Sequence, residues 1–268
     1  MAVTLCGGSA GLWAYRDGWQ RLPCPLPHPA LLARSGAGLL VLDDRAQLLW
    51  DGRQLIPVPR GVEALLSWRG DALLLSGETD GVMRLSLTTG QPLLVAPAGV
   101  YPQDACLMPG DVLAVCGGCD GTVRLLNPFS LRPLRTLTLP GITERIAWSG
   151  DALHVLCAVG DTAVRCQYWR IPRTGSPQCV ALLPGLPGAV CGDARGGAWV
   201  AATETLCRFP AGALRPDCAI GGTGLVRHMV CSGGRLMTCD PVLGCCTLFG
   251  PGGYPAATWH GDVGQGLL

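Results

Sequence analysis

The sequence of 268 residues contains no lysine: all 20 of its basic side chains are arginine, against 19 aspartate and glutamate residues. Without lysine, neither Schiff-base catalysis nor a lysine-dependent phosphate loop is available. The charged residues sum to a net charge of +1 and are dispersed along the chain. The sequence therefore offers no basic face for nucleic acid and no polybasic patch for an anionic membrane. We therefore expect neither nucleic acid nor a membrane as a partner.

The chain also lacks long hydrophobic runs and an export signal. No stretch approaches the 18 or so uninterrupted apolar residues of a membrane span. The first residues, MAVTLCGGSAGLW, contain neither a basic region nor an apolar run before the first glycines. The 15 cysteines are an odd number scattered through a large chain, unlike the framework of a small secreted domain. These features predict a cytoplasmic protein with reduced thiols; an oxidising compartment is the alternative.

What the sequence does contain is a repeat with a period near 40 residues. Gly-Asp pairs at Gly70, Gly110 and Gly150 each begin a similar apolar segment. Weaker copies begin at four further places, near Ala2, Gly38, Gly196 and Gly233. A fixed period in this range is typical of solenoids, propellers and other repeat architectures.

Each repeat is predicted to form four short β-strands. In the third unit these are VEALLSW, DALLLSG, VMRLSL and QPLLVA, and the second hairpin turns at Asp80-Gly81. Asp-Gly between alternating apolar runs favours a tight hairpin, because glycine accepts positive φ. Four strands per unit, repeated seven times, predict an all-β propeller of seven four-stranded blades in one domain over residues 1–268. Six blades are the alternative, because the first two units are short.

The unit at Gly110 resembles the WD repeat. It has the Gly110-Asp111 turn, a strand of small residues, then DGTVRLL (120–126) and LRPL (131–134). The Trp-Asp pair of that repeat is replaced by Leu126-Asn127 here and by Ser86-Leu87 in the preceding unit, and no Gly-His pair precedes the inner strands. The chain is therefore more similar to the broad group of bacterial WD-like propellers of the YVTN type, although it has no YVTN motif. That resemblance implies a fold, not an activity.

Closure of the ring follows from where the strand pattern starts. The first unit begins with a second-type strand, AVTLCGG, and so lacks an inner strand. We expect the tail after Trp259, HGDVGQGLL, to supply it, even though Gly264 and Gly266 make that tail a poor strand.

The motif CGGC, from Cys116 to Cys119, has the spacing of half a zinc site or a redox pair. A second pair with similar spacing is missing, and the repeat places Cys116 at the position of Ser76 and Cys119 at that of Thr79. We interpret these thiols, and the other cysteines on predicted strands, as small apolar fillers. Metal binding and redox chemistry are the alternatives.

Another repeated feature lies at the second hairpin, where an aspartate is followed four residues later by an arginine, as in Asp80/Arg84, Asp120/Arg124 and Asp161/Arg165. Because a catalytic constellation is usually unique, this repetition indicates turn formation and pairing between blades.

The candidate binding residues emerge from aligning the inner strands on the Gly-Asp turns. Asp104, Glu144 and Arg227 then fall at one position, and Glu63 lies one residue earlier; His228 follows Arg227. Inner strands line the central channel of a propeller, so these side chains are predicted to surround its mouth and to hold a small polar ligand or a divalent cation. The alternative is that they solvate the channel and pair with one another.

The function predicted from these features is that of a non-enzymatic binding or scaffold propeller, with a protein or small polar ligand bound on one face and no cofactor. The alternative is a hydrolase similar to the sugar lactonases, using Glu63, Asp104 and Glu144 with a polar or metal site at the channel mouth. A third possibility is a structural propeller within a larger assembly. No catalytic residue or metal ligand is assigned from the sequence.

Overall fold

The computed structural model describes residues 4–8, 11–15, 17–36, 38–99, 101–160, 162–250 and 253–267. In these residues the chain forms 28 β-strands, and they contain no helix. The strands assemble into seven antiparallel four-stranded sheets, which are the blades of a seven-bladed β-propeller. The prediction of an all-β, seven-bladed propeller is confirmed, and the six-bladed alternative is wrong.

The blades are numbered in chain order, and each runs from an inner to an outer strand. Blade 1 contains β1 (Thr4–Gly8), β2 (Gly11–Tyr15) and β3 (Trp19–Leu22). Blade 2 contains β4 (Leu31–Ser35), β5 (Gly38–Asp43), β6 (Leu48–Trp50) and β7 (Leu55–Pro57). Blade 3 contains β8 (Val62–Trp68), β9 (Asp71–Ser76), β10 (Gly81–Ser86) and β11 (Pro92–Pro97). Blade 4 contains β12 (Pro102–Met108), β13 (Val112–Gly117), β14 (Thr122–Leu126) and β15 (Pro133–Thr138).

The remaining blades follow the same pattern. Blade 5 contains β16 (Ile142–Ser149), β17 (Ala152–Val159), β18 (Arg165–Pro172) and β19 (Gln178–Pro184). Blade 6 contains β20 (Pro187–Gly192), β21 (Ala198–Ala202), β22 (Thr205–Phe209) and β23 (Cys218–Gly221). Blade 7 contains β24 (His228–Ser232), β25 (Arg235–Asp240), β26 (Cys245–Phe249) and β27 (Pro255–His260). The last strand, β28 (Gly266–Leu267), returns to blade 1.

The predicted closure of the ring is confirmed, because β28 pairs antiparallel with β1 and completes blade 1 as its inner strand. The backbone N–H of Gly7 donates to the carbonyl of Gln265 at 2.9 Å. A Cβ on Gly264 would lie 2.5 Å from the carbonyl oxygen of Ala30 in the next blade. The glycine that weakens this tail as a strand is thus what allows it to lie so close to blade 2.

The core lies between neighbouring blades, which explains why the second strands are apolar on both sides. In β9, Leu74 packs towards blade 2, whereas Leu73 and Leu75 pack towards blade 4. Because side chains alternate along a strand, a sheet sandwiched between two others buries every residue of its middle strands. All three of these leucines are almost fully buried.

The cysteines of the middle strands take part in this core. Cys116 is fully buried between blades 4 and 5, where burial raises the pKa of its thiol, whereas Cys119 is exposed. The interpretation as buried filler is therefore confirmed for Cys116 and is wrong for Cys119. Cys116 occupies the position of Leu75 and not that of Ser76, because it pairs with Asp104 as Leu75 pairs with Ala64. Further buried thiols in the inter-blade clusters are those of Cys157, Cys166, Cys207, Cys239 and Cys246.

Aspartates at the second hairpins fasten loops, as their repetition predicts. Asp80 accepts a hydrogen bond from the backbone N–H of Tyr101 in the next blade, at 2.8 Å. Asp120 accepts from the N–H of Thr122 and forms an ion pair with Arg124. The third predicted aspartate, Asp161, lies outside the described residues.

The arginines that follow these aspartates do not all pair with them. Arg84 does not contact Asp80; it forms an ion pair with Asp71 and donates to the carbonyl of Phe129 in blade 4. Pairing between blades is thus confirmed for Arg84, through a different partner from the one that the sequence repeat suggests.

In the described part of the chain, no helix has the length and hydropathy that crossing a bilayer requires.

Candidate binding site at the channel mouth

The inner strands of blades 3 to 6 each contain a β-bulge close to their first residue. The register shifts at Glu63, Gln103, Glu144 and Gly188, each of which is an extra residue opposite the second strand of its blade. A bulge re-aims the side chains around it. Near the start of each of these inner strands, two successive side chains can therefore face the channel.

The bulges correct the alignment of the candidate residues. Glu63 and Glu144 occupy the bulge position, five residues before the end of their strands, and Arg227 lies at the same distance from the end of β24. Asp104 lies one residue later, at the place of Arg145. The prediction that Asp104 aligns with Glu144 and Arg227, with Glu63 displaced, is wrong.

The physical reason is a difference in turn length. Three residues separate Met108 from its partner Val112 in blade 4, whereas two residues separate the corresponding partners in blades 3 and 5. Relative to the strand pairing, the Gly-Asp pair therefore lies at a different place in each of these blades. When the sequences are aligned on this pair, the inner strand of blade 5 is shifted by one residue relative to those of blades 3 and 4.

A cavity of about 650 Å³ occupies the central channel, and all seven blades contribute to its wall. Four of the five predicted residues line it: Glu63, Asp104, Arg227 and His228. Glu144 does not line the cavity, although it is half-buried beside it. We call the side of the ring where the inner strands begin the entrance face; it also carries the links between blades and the turns between second and third strands.

Arg145 is the central charged group of the channel mouth, and the sequence reasoning missed it. Its Nε donates to the carbonyl of Gly188 at 3.1 Å, and its Nη1 donates to the carbonyl of Glu144 at 2.8 Å. Arg227 approaches from the other side, with Nη1 donating to the carbonyl of Pro187 at 3.3 Å. Two guanidinium groups thus converge on adjacent carbonyls of blade 6, which itself contributes no charge there.

The three predicted carboxylates have different surroundings. Asp104 accepts hydrogen bonds from two backbone N–H groups, that of Ala105 at 2.9 Å and that of Ile146 at 3.0 Å, and so connects blades 4 and 5. The carboxylates of Glu63 and Glu144 have no hydrogen-bond or ion-pair partner among the described residues. Asp104 is therefore structural as well as channel-lining, whereas Glu63 lines the cavity and is available to a ligand.

Burial governs the titration of these groups. It raises the pKa values of Glu63, Asp104 and Glu144, and the positive charge of Arg145 acts in the opposite direction on all three. Burial lowers the pKa of His228 to about 4, with further lowering by Arg145 and Arg227. His228 is thus a neutral imidazole at pH 7, with one nitrogen to donate and one to accept.

Charge is distributed unevenly around the mouth. Asp44, Glu63 and Asp104 lie on blades 2, 3 and 4, and Arg145 and Arg227 lie on blades 5 and 7 with neutral blade 6 between them. Within the described ranges, no three His, Cys, Asp or Glu residues are close enough together to hold a metal ion. The arrangement is suited to hydrogen bonding and charge pairing with an organic ligand.

Six exposed apolar side chains lie on the entrance face in blades 4 to 7, and we call them the apolar arc. Tyr101, Ile142 and Leu186 stand at or just before the first residues of three consecutive inner strands and are 61%, 41% and 41% exposed. The turns between second and third strands add Val164 in blade 5 and the adjacent pair Val242 and Leu243 in blade 7, which are 72% and 64% exposed.

Solved structures show what this fold is similar to. A protein from Lactobacillus plantarum has a TM-score of 0.76 at 14% identity, with 98% of each chain covered. Kuenenia stuttgartiensis hydrazine synthase has a TM-score of 0.68 at 14% identity, with 92% of this chain and 90% of that chain covered. The WD40 repeats of RRP9 have a TM-score of 0.60 at 15% identity, with 75% and 63% covered. The similarity to WD-repeat propellers is thereby confirmed at the level of fold.

No protein-family model and no curated protein matches the sequence.

Proposed function

We propose that this chain is a non-enzymatic, cytoplasmic binding propeller that docks a protein partner on its entrance face. The observation that carries the proposal is the apolar arc, defined above by Tyr101, Ile142, Val164, Leu186, Val242 and Leu243. Exposed apolar side chains are unremarkable when they are single, but a group of them rimmed by polar residues marks an interaction surface.

The position of the arc supports this function. Its side chains come from links and turns that a rigid ring of blades holds in place, and binding residues are commonly presented on such loops. Other exposed apolar residues lie elsewhere: Leu93 and Val95 are on the outer strand β11, and Phe129, Leu214 and Tyr254 are in turns on the opposite face. The arc shares its face with the channel mouth, where hydrogen-bonding groups are also available to a partner.

The partner that fits this surface is a protein segment that places apolar side chains on the arc and polar groups over the channel mouth. Burial of large apolar side chains supplies most of the free energy of such contacts, and charge pairing adds specificity.

The geometry gives no comparable support to the hydrolase alternative. The hydrolase alternative needs carboxylates that converge on one reaction site. Glu144 does not line the cavity, and each oxygen of Asp104 accepts a backbone hydrogen bond, so Glu63 has no second carboxylate beside it that is free of such bonds among its predicted partners. We therefore propose binding and not catalysis.

Replacing Val242 or Leu186 by aspartate is expected to weaken partner binding, because each change places a charge within the apolar arc. The measurement is quantitative capture from an extract of the native cell, followed by titration of the recovered partner, purified, against each variant. Leu214→Asp is the matched control, since Leu214 is 54% exposed on the opposite side of the ring.

We expect a purified partner to bind wild-type protein and the Leu214→Asp variant equally, and to bind the two entrance-face variants at least tenfold more weakly. Equal binding to all four proteins, or selective loss with Leu214→Asp, would rule out the entrance face as the docking surface.

A further inference from the structure

We propose that the channel mouth binds a small zwitterion with a carboxylate and an ammonium group, of the kind represented by a free α-amino acid. The proposal does not depend on protein docking at the apolar arc. It rests on two convergent arginines, on the acidic side of the channel mouth, where Glu63 has no partner among the described residues, and on the cavity of about 650 Å³ that these groups line.

The arginine side supplies donors for a carboxylate. A guanidinium group has five N–H donors in a planar fork. In the described contacts, Arg145 uses two of its five donors, one at Nε and one at Nη1. Arg227 uses one of its five, at Nη1. Both side chains are held by backbone carbonyls of blades 5 and 6, so their remaining donors are oriented before a ligand arrives. Preorganised arginine donors are well suited to bidentate recognition of a carboxylate.

The opposite side supplies acceptors for an ammonium group. Both oxygens of Glu63 lack a partner within the described chain, and this side chain lines the cavity. Among the described contacts of Asp44, Oδ1 accepts from the N–H of Val62 at 3.3 Å and Oδ2 has none. Asp44 and Asp104 also line the cavity, so this side of the channel is negatively charged and Glu63 can accept hydrogen bonds from an ammonium group.

Selectivity for a zwitterion follows from the presence of both charge types. A simple anion would satisfy the arginines and leave the carboxylates of the acidic side without a counterion in a partly desolvated cavity. A simple cation would have the reverse deficiency. Burying a charge without a partner is unfavourable, so a ligand that carries both charges is preferred over either half. Gln103 on the acidic side and His228 on the basic side are neutral, line the cavity and offer hydrogen bonds to the rest of the ligand.

The test is a binding panel on the intact protein. Each of the 20 standard amino acids is screened by thermal shift and then by isothermal titration calorimetry. The best binder is compared with two analogues that lack its amino or its carboxylate group, as propionate and ethylamine do for alanine. We expect saturable binding of at least one amino acid, and at least tenfold weaker binding of both analogues.

Two substitutions assign the site. Glu63→Gln and Arg227→Gln should each weaken binding by about tenfold to a hundredfold, because each removes one charged hydrogen-bond partner. Glu204→Gln and Arg215→Gln are matched controls, since both residues are exposed away from the cavity, and they should bind as wild type does. Val242→Asp should also retain binding, which separates this site from the docking surface.

Three results would overturn the proposal: no saturable binding of any amino acid, equal binding of a singly charged analogue, or equal losses in the site and control variants. Circular dichroism of each variant identifies any that fail to fold, and for such a position Glu63→Asp or Arg227→Lys replaces it.

Discussion

Replacing Gly264 by alanine is expected to lower the free energy of unfolding by about 1–3 kcal/mol, the usual range for overpacking a close-packed site. The added Cβ would lie 2.5 Å from the carbonyl oxygen of Ala30 and 3.1 Å from its Cα. These are backbone atoms, so no side-chain rotation relieves the contact. The residues that must move include the segment that leads into β28, the strand that closes the ring. The measurement is equilibrium urea denaturation.

Gly221→Ala is the matched control for this experiment, because a Cβ at that position has no neighbour within 4 Å. We expect it to leave the stability unchanged or slightly increased, since alanine restricts the unfolded chain more than glycine does. Equal stability of both variants would show that the segment at Gly264 is not packed against blade 2.

Acidification is expected to destabilise the protein through His154, by about 3 kcal/mol in total. This histidine on β17 is 1% exposed, and its Nδ1 lies 2.7 Å from the hydroxyl oxygen of Tyr168. Its Nε2 has no partner in the described structure. Burial, followed by the charge of Arg170, lowers the pKa of His154 from 6.5 to about 4. The difference between these two values corresponds to about 3 kcal/mol.

The direction follows from proton linkage. Between pH 6.5 and pH 4 the unfolded chain binds a proton at His154 and the folded chain does not, so stability is complete above pH 6.5 and falls as the pH drops towards 4. Glu63, Asp104 and Glu144 act oppositely, since their raised pKa values give a contribution that is lost as the pH rises through those values.

A comparison with His154→Gln isolates the contribution of this histidine, since all other titrating groups are retained. Urea denaturation at pH 7.5 and pH 4.5 should show wild type losing about 2 kcal/mol more than the variant. An identical pH dependence would mean that the pKa of His154 is the same in the folded protein as in the unfolded chain, and would contradict the account.

The propeller was predictable because its repeat is carried by local chemistry. Asp80-Gly81 specifies a hairpin whatever its surroundings, and the apolar pattern around β9 reflects burial on both sides of a blade. Ring closure was predictable from the missing inner strand of blade 1. The role of Gly264 was not, because it depends on the carbonyl of Ala30, which lies more than 200 residues away in the sequence.

The channel mouth was only partly predictable. The sequence identified Glu63, Asp104, Arg227 and His228 as residues of the inner strands, and they line the cavity. It missed Arg145 because a residue next to Glu144 is expected to point to the opposite side of a regular strand. The bulge at Glu144 removes that alternation. An alignment that counts back from the end of each inner strand would have placed Arg145 at the position equivalent to Asp104.

The apolar arc was not predictable either. Tyr101 and Leu186 lie in links between blades and Ile142 begins β16, and the three share no motif; they come to one face of the ring only when the strands assemble into blades.

Site-specific photo-crosslinking tests most directly whether the entrance face of the propeller binds a protein. A photoreactive phenylalanine analogue is introduced at Val242 on the entrance face or at Leu214 on the opposite side, and each protein is irradiated in its native cells. We predict a discrete crosslinked product from position 242 and none from position 214. A product from position 214 alone, or from neither position, would contradict the claim.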